Sequence, residues 1–222
     1  IATLRTCTSE REAQGIVPWL QSYMRRTSDD GVVLAKSAAN HCAEVLVQRG
    51  VIVLFDDPEY PQQLRETADP PLALTMVGDA DLVTNMNLVS VVGSRKASAL
   101  ALNESFRLGR ELVKLGIPVV SGGAFGCDIA AHLGALAALD NGCQRAKTAV
   151  VFAGGLGQLY PRAHEQIFRR IRAQGGVLLS ERLWQAGCRW HDFLARNRII
   201  AGLSKVTVVM QAAIKSGALI TA

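Results

Sequence analysis

A doubly wound α/β fold with a mainly parallel sheet is what three features of this 222-residue chain predict. Short runs of Val, Ile and Leu recur along it, most of them closing on a glycine-bearing turn and leading into helical periodicity. The apolar share is 49%, enough for a real core, while aromatics make up only 5%, as expected where Val, Ile, Leu and Ala fill a parallel sheet covered on both faces.

The elements follow in order. Residues 1–49 read as a small helical domain: after Asp29-Asp30, the positions Leu34, Ala38, Cys42, Val45 and Leu46 recur near 3.6-residue spacing, and Gly50 is expected to close the helix as a left-handed cap. Trp19, Leu20 and Tyr23 suggest an earlier helix packed on it. Residues 50–222 form the second domain. Val51 to Phe55 is a strand, Gln62 to Thr67 a short helix, and Leu72 to Val77 a further strand ending at Gly78-Asp79.

The centre of the chain is a βαβ unit. Val89 to Val92 runs into Gly93-Ser94-Arg95; a helix from Ser98 carries Leu102, Phe106, Gly109 and Val113 on one face; Ile117 to Val120 then runs into Ser121-Gly122-Gly123. A helix beginning near Asp128, with Ile129, Leu133 and Leu136 inward, ends at Asn141-Gly142. Thr148 to Phe152, Val177 to Leu179 and Val206 to Met210 supply three more strands. Between them lie a helix with Pro161 at its first position and Ile167, Phe168 and Ile171 inward, and a helix over Asn197 to Ser204. The closing SGALITA opens a last helix that is cut off at Ala222, so the domain is expected to continue past it. The whole is Rossmann-like.

Composition removes several classes of function. No apolar run reaches the roughly 18 residues of a membrane span, and no signal-peptide layout opens the chain. Cys7, Cys42, Cys127, Cys143 and Cys188 are odd in number and widely spaced, which argues against a disulfide framework and for a reducing compartment, hence the cytoplasm. The four histidines show no metal-ligand spacing, and neither a metal nor another cofactor is expected. The net charge of +5 hides a gradient: residues 1–80 carry 7 Lys and Arg against 11 Asp and Glu, residues 81–159 carry 7 against 5, and residues 160–222 carry 10 against 3. A basic end beside glycine turns at strand ends suits a polyanionic partner.

The candidate site residues cluster at those strand ends. Arg95, directly after the first βαβ strand, is placed to clamp a phosphate with parallel N–H bonds. Ser121 and Gly122 end the second strand, where backbone amides admit an anion. Phe193 beside Arg196, Asn197 and Arg198 combines a stacking ring with backbone-binding charge, the pattern single-stranded nucleic acid asks for. Two residues apart, Arg196 and Arg198 point to different sides of a regular helix, so either the segment enters the helix as a strand or one arginine binds while the other packs. Lys215, Ser216 and Gly217 follow the last strand and complete a basic rim. Asp128 and His132, four apart, read as a capping carboxylate with a hydrogen-bonded histidine rather than a catalytic pair. A nicotinamide enzyme is opposed by the lack of a strict GxGxxG and by Ser121 standing where an acidic residue would hold a ribose.

The strings PEYPQQL, DPPLAL, VVGSR, VVSGGAFGCDIAAH, LYP at Leu159 to Pro161, GGVLLSE, RNRIIAGLS and KSGALITA occur in the order found in the DNA-processing protein A (DprA/Smf) family, which the chain resembles over residues 52–222. Family members usually read SGLAxGID where this chain has Ser121 to Asp128 as SGGAFGCD. The resemblance implies an extended Rossmann fold preceded by a small helical, SAM-like domain. It implies a protein that binds and protects single-stranded DNA and loads the RecA recombinase onto it in natural transformation, as a homodimer and without catalysis. Its DNA-binding residues would be Arg95, Ser121, Gly122, Phe193, Arg196, Asn197, Arg198, Lys215, Ser216 and Gly217. The alternative is a nucleotide-binding enzyme of the phosphoribohydrolase type, suggested by Gly154-Gly155-Leu156-Gly157, for which the nearest following carboxylate is Glu165. A nucleotide-sensing regulatory domain is a third reading, one that would keep the pocket but lose the long basic rim.

Overall fold

The computed structural model describes residues 40–143, 147–213 and 216–221. Most of the expected helical domain therefore lies outside the described residues, as does Lys215. Residues 40–47 are helical. The residue in the left-handed region after this helix is Arg49, with φ 52°, rather than Gly50. Gly50 answers a different need: a Cβ there would stand 2.7 Å from the Met76 carbonyl oxygen, so the chain can pass this strand only without a side chain.

Among the described residues, seven strands and seven α-helices follow. In chain order they are β1 (Val51–Leu54), α1 (Gln62–Arg65), β2 (Ala73–Gly78), α2 (Asp81–Thr84), β3 (Leu88–Val92), α3 (Ala99–Lys114), β4 (Val119–Gly122) and α4 (Cys127–Asp140). There follow β5 (Thr148–Val151), α5 (Glu165–Ala173), β6 (Val177–Ser180), α6 (Trp190–Gly202), β7 (Ser204–Val209) and α7 (Gly217–Thr221). The sheet order is β1-β2-β6-β5-β4-β3-β7. Strands β6, β5, β4, β3 and β7 run parallel, and β2 joins β6 antiparallel, bringing β1 with it. This is the mixed, mainly parallel α/β sheet that the strand and helix pattern predicts.

Alternation along the strands feeds two cores, one on each face of the sheet. On one face Val91, Val119 and Val150 meet Val113 from α3, Leu136 from α4 and Phe168 and Ile171 from α5. On the other, Val92, Val120, Ala149 and Val151 meet Leu64 from α1, Leu82 from α2 and Ile199, Ile200 and Leu203 from α6. Each fully buried Val, Leu or Ile of the second set is worth roughly 1.5–3 kcal/mol. Burial on both faces explains why the central strands read as unbroken apolar runs instead of alternating with polar residues.

Two boundaries differ from expectation for identifiable reasons. Helix α6 begins at Trp190, seven residues before Asn197, because Asp192 accepts from the Arg189 backbone N–H at 2.7 Å in a capping box that periodicity does not reveal. Pro161 precedes a single 3-10 turn, Arg162–His164, which leads into α5. Among the described residues, no helix is long and apolar enough to cross a membrane.

The candidate site is positioned by the point where β7 departs from the running order. The connections β3-α3-β4-α4-β5 step one way across the sheet, and β7 returns to the far side of β3. The helices after β3 and β7 thus lie on opposite faces of the sheet, which opens a crevice at the carboxyl ends of the two strands.

Candidate nucleic-acid interface

At the β3 end, Ser94 N–H donates to the Gln211 carbonyl at 2.7 Å, and the Gln211 side-chain oxygen accepts from Ser98 N–H at 2.8 Å, so the turns after β3 and β7 are clipped to each other. Gly126 fastens the third turn. Its φ of +83° is a left-handed conformation, and a Cβ there would collide with the Ser94 carbonyl. The departures from the SGLAxGID pattern, Gly123 and Cys127, leave the glycine at position 126 in place.

A cavity of about 730 Å³ opens at this edge. Gly93, Ser94 and Arg95 line it from the β3 turn, Ser216 and Gly217 from the entry to α7, and Phe193, Arg196 and Asn197 from α6. Its mouth is aromatic and cationic. The Arg95 guanidinium carbon lies 4.7 Å from the centre of the Phe193 ring, and Tyr160 meets the same ring edge-on at 5.6 Å. Trp190, on the first turn of α6, also lines the cavity and is 75% exposed, an unusual placement for so large an apolar ring. Lys96 and Arg189 are exposed beside these groups in sequence.

The cavity floor holds two buried charges. Asp128 is 6% exposed and Arg196 5%, and both come up against Gly122, where a Cβ would stand 2.6 Å from Asp128 Oδ2 and 2.5 Å from Arg196 Nη2. Asp128 accepts backbone N–H bonds from Ala124 and Gly93. Arg196 donates through Nη1 to the Val151 carbonyl and through Nε to Asn197 Oδ1 at 3.3 Å. Burial pushes the Asp128 carboxyl up to about 6, against the pull of Arg196, and burial brings Arg196 down to about 10. At neutral pH both remain charged.

Of the residues expected at the site, Arg95, Phe193, Arg196, Asn197, Ser216 and Gly217 are brought together around the cavity. Gly122 lies beneath Arg196 and Asp128 and acts through the room it leaves them. Ser121 is fully buried and donates to the Val91 carbonyl at 2.5 Å, a bond that holds β4 to β3. Helix α6 is regular, and Arg198 turns away from the cavity to Glu181 at 2.6 Å and Asp69 at 2.9 Å. The expected Asp128–His132 pairing does not form. His132 instead faces the Thr148 hydroxyl at 2.7 Å and the Gly122 carbonyl at 2.9 Å, leaving Asp128 to the cavity.

Sequence reasoning missed Tyr160, Trp190 and the role of Gln211. Tyr160 had a signal in the YP pair; the other two had none, since neither sits in a glycine turn or a charge cluster. Glu165 is on α5 and pairs with Arg169 at 2.6 Å.

The family model of DNA recombination-mediator protein A matches residues 51–222. This chain belongs to that family. Protein Smf of Synechocystis sp. is 39% identical over 170 residues, covering 75% of this chain and 41% of the relative. The structure of DNA processing protein A from Helicobacter pylori, described for its single-stranded DNA binding mode, superposes with a TM-score of 0.67 at 32% identity, covering 78% of this chain and 74% of that one. The X-ray structure of DNA processing protein A from Streptococcus pneumoniae gives a TM-score of 0.70 at 29% identity, covering 92% and 75%. The chain spans about half the length of the curated relatives it matches.

Proposed function

We propose that this member of the DNA recombination-mediator family holds single-stranded DNA in the crevice at the carboxyl ends of β3 and β7, protects the incoming strand, and loads the RecA recombinase onto it in natural transformation. It works in the cytoplasm as a homodimer and as a binding protein without chemistry of its own. The observation that carries the reading is the column of Arg95, Phe193 and Tyr160 at the cavity mouth, where a guanidinium for phosphate stands against rings for bases. Family membership supports the mediator role, and the Helicobacter pylori relative, named for its single-stranded DNA binding mode, supports the choice of ligand.

The test is fluorescence anisotropy of a labelled single-stranded oligonucleotide over a salt series, with a duplex competitor. Single strands should bind in preference to duplex, and log affinity should fall with log salt by about 0.7 per phosphate contacted. Arg95→Ala should weaken binding at every sequence and remove about one such contact from the slope. An unchanged affinity in that variant would place the site elsewhere.

The phosphoribohydrolase reading gains one observation: Asp128 supplies a carboxylate inside the cavity, where Glu165 does not. Release of free base from a nucleoside monophosphate, lost in Asp128→Asn, would establish it. Absence of single-strand binding at low salt would make it the better reading.

A further inference from the structure

We propose that the floor of the cavity reads a guanine base, the Asp128 carboxylate accepting from its N1–H and N2–H and the Arg196 guanidinium donating to its O6. This assignment rests on the single-strand reading above and names the base that the site prefers.

The geometry is that of an incomplete pair. Carboxylate and guanidinium flank Gly122 from within the same cavity, both more than nine-tenths buried, yet among the described residues they close no ion pair with each other. Each is held by the backbone instead, Asp128 by the N–H groups of Gly93 and Ala124 and Arg196 by the Val151 carbonyl. Two backbone N–H bonds leave a carboxylate with about two of its four lone-pair positions, and two bonds leave a guanidinium with about three of its five donors. Fixed, largely buried groups with hydrogen-bonding positions left over favour a ligand edge that presents both donors and an acceptor.

Guanine fits that demand best among the bases. Its Watson–Crick edge carries two adjacent N–H donors, matched to the two oxygens of a carboxylate, and next to them O6, an acceptor for arginine. Adenine and cytosine offer one exocyclic amine, so one carboxylate oxygen goes unpaired; thymine sets a carbonyl on either side of its single N–H, against the carboxylate. The ring would enter past Phe193 and Tyr160, which stand at the mouth. The cavity volume of about 730 Å³ lies within the range of small-ligand pockets.

The experiment compares labelled twelve-nucleotide strands alternating dT with dG, dA or deoxyinosine, so that every register presents the test base. The dG strand should bind roughly tenfold tighter than the dA strand, the size of one bidentate base contact. Deoxyinosine, which lacks the N2 amine, should lose most of that advantage, a comparison that needs no variant. In Asp128→Asn the ratio of dG to dA affinity should fall to about one. Equal and tight binding of all three strands would overturn the guanine assignment while leaving the single-strand reading intact. Failure of every strand to bind would overturn both.

Discussion

Asp128 shows how a carboxylate can be buried without being neutralised. Loss of water raises it to about 6, and Arg196 together with the N–H groups of Ala124 and Gly93 keeps it from rising further. A carbon-13 titration of the Asp128 side chain should therefore find a midpoint near 6, and Arg196→Gln should move it upward. Since the folded value lies above the roughly 3.9 of an unfolded chain, this residue's contribution to stability is fully present below pH 4 and is lost as pH rises through about 6. The same ionisation governs guanine readout, because a protonated carboxyl accepts one N–H fewer. At this scale the sequence was informative where position alone decides. Arg95 follows β3 and Gly217 opens the helix after β7, and both were legible from those places. Asp128 was read as a partner of His132, because four-residue spacing on a helix is visible in a sequence, whereas the approach of Arg196 from another helix is not.

Helix α6 separates two arginines that share a motif. Arg196 and Arg198, two positions apart, must leave a regular helix on different sides. Arg196 enters the cavity floor, while Arg198 bridges Glu181, just past β6, and Asp69, ahead of β2. With both partners holding it and a side chain only 26% exposed, Arg198 is a clamp for the helix. Arg198→Ala should accordingly lower unfolding stability by about 1–3 kcal/mol, the range for hydrogen bonds to charged groups. It should leave the salt slope of single-strand binding unchanged. Chemical denaturation alongside anisotropy would separate the two effects, and a loss of binding without a loss of stability would put Arg198 back in the site. The second half of α6 was readable from Ile199, Ile200 and Leu203, which face the core. The first half was not, because Trp190 faces solvent and the start depends on a backbone bond to Asp192.

Across the whole molecule, the number and type of strands were legible but their spatial order was not. A strand's apolar run announces burial; which neighbour buries it is settled by long-range pairing, here β7 beside β3 across more than a hundred residues of chain. Two buried histidines tie such distant parts together and make the fold sensitive to acid. His41 Nδ1 accepts from the Trp184 backbone N–H at 2.9 Å, and His41 Nε2 faces the Thr75 hydroxyl at 3.0 Å, joining residues 40–47 to β2 and to the loop after β6. His132 joins α4 to β4 and β5; its Nε2 faces the Gly122 carbonyl and so carries the proton, and its Nδ1 faces the Thr148 hydroxyl. Burial lowers both rings from 6.5 to about 4, so both are neutral in the fold at pH 7. Between pH 6.5 and 4 the unfolded chain binds more protons than the folded one at these two sites. Their stabilisation is thus complete above pH 6.5 and lost as pH falls toward 4, by about 3 kcal/mol each in the limit. Asp128 titrates in the same window with the opposite sign and offsets about one of them. The melting temperature should hence fall as pH is lowered from 6.5 to 4 at constant ionic strength. In His132→Gln, which stays neutral throughout, the protein should be less stable at pH 7 but should lose stability less steeply, so that the gap between variant and parent narrows on acidification. A gap that stays constant over this range would mean that His132 is already protonated in the folded protein.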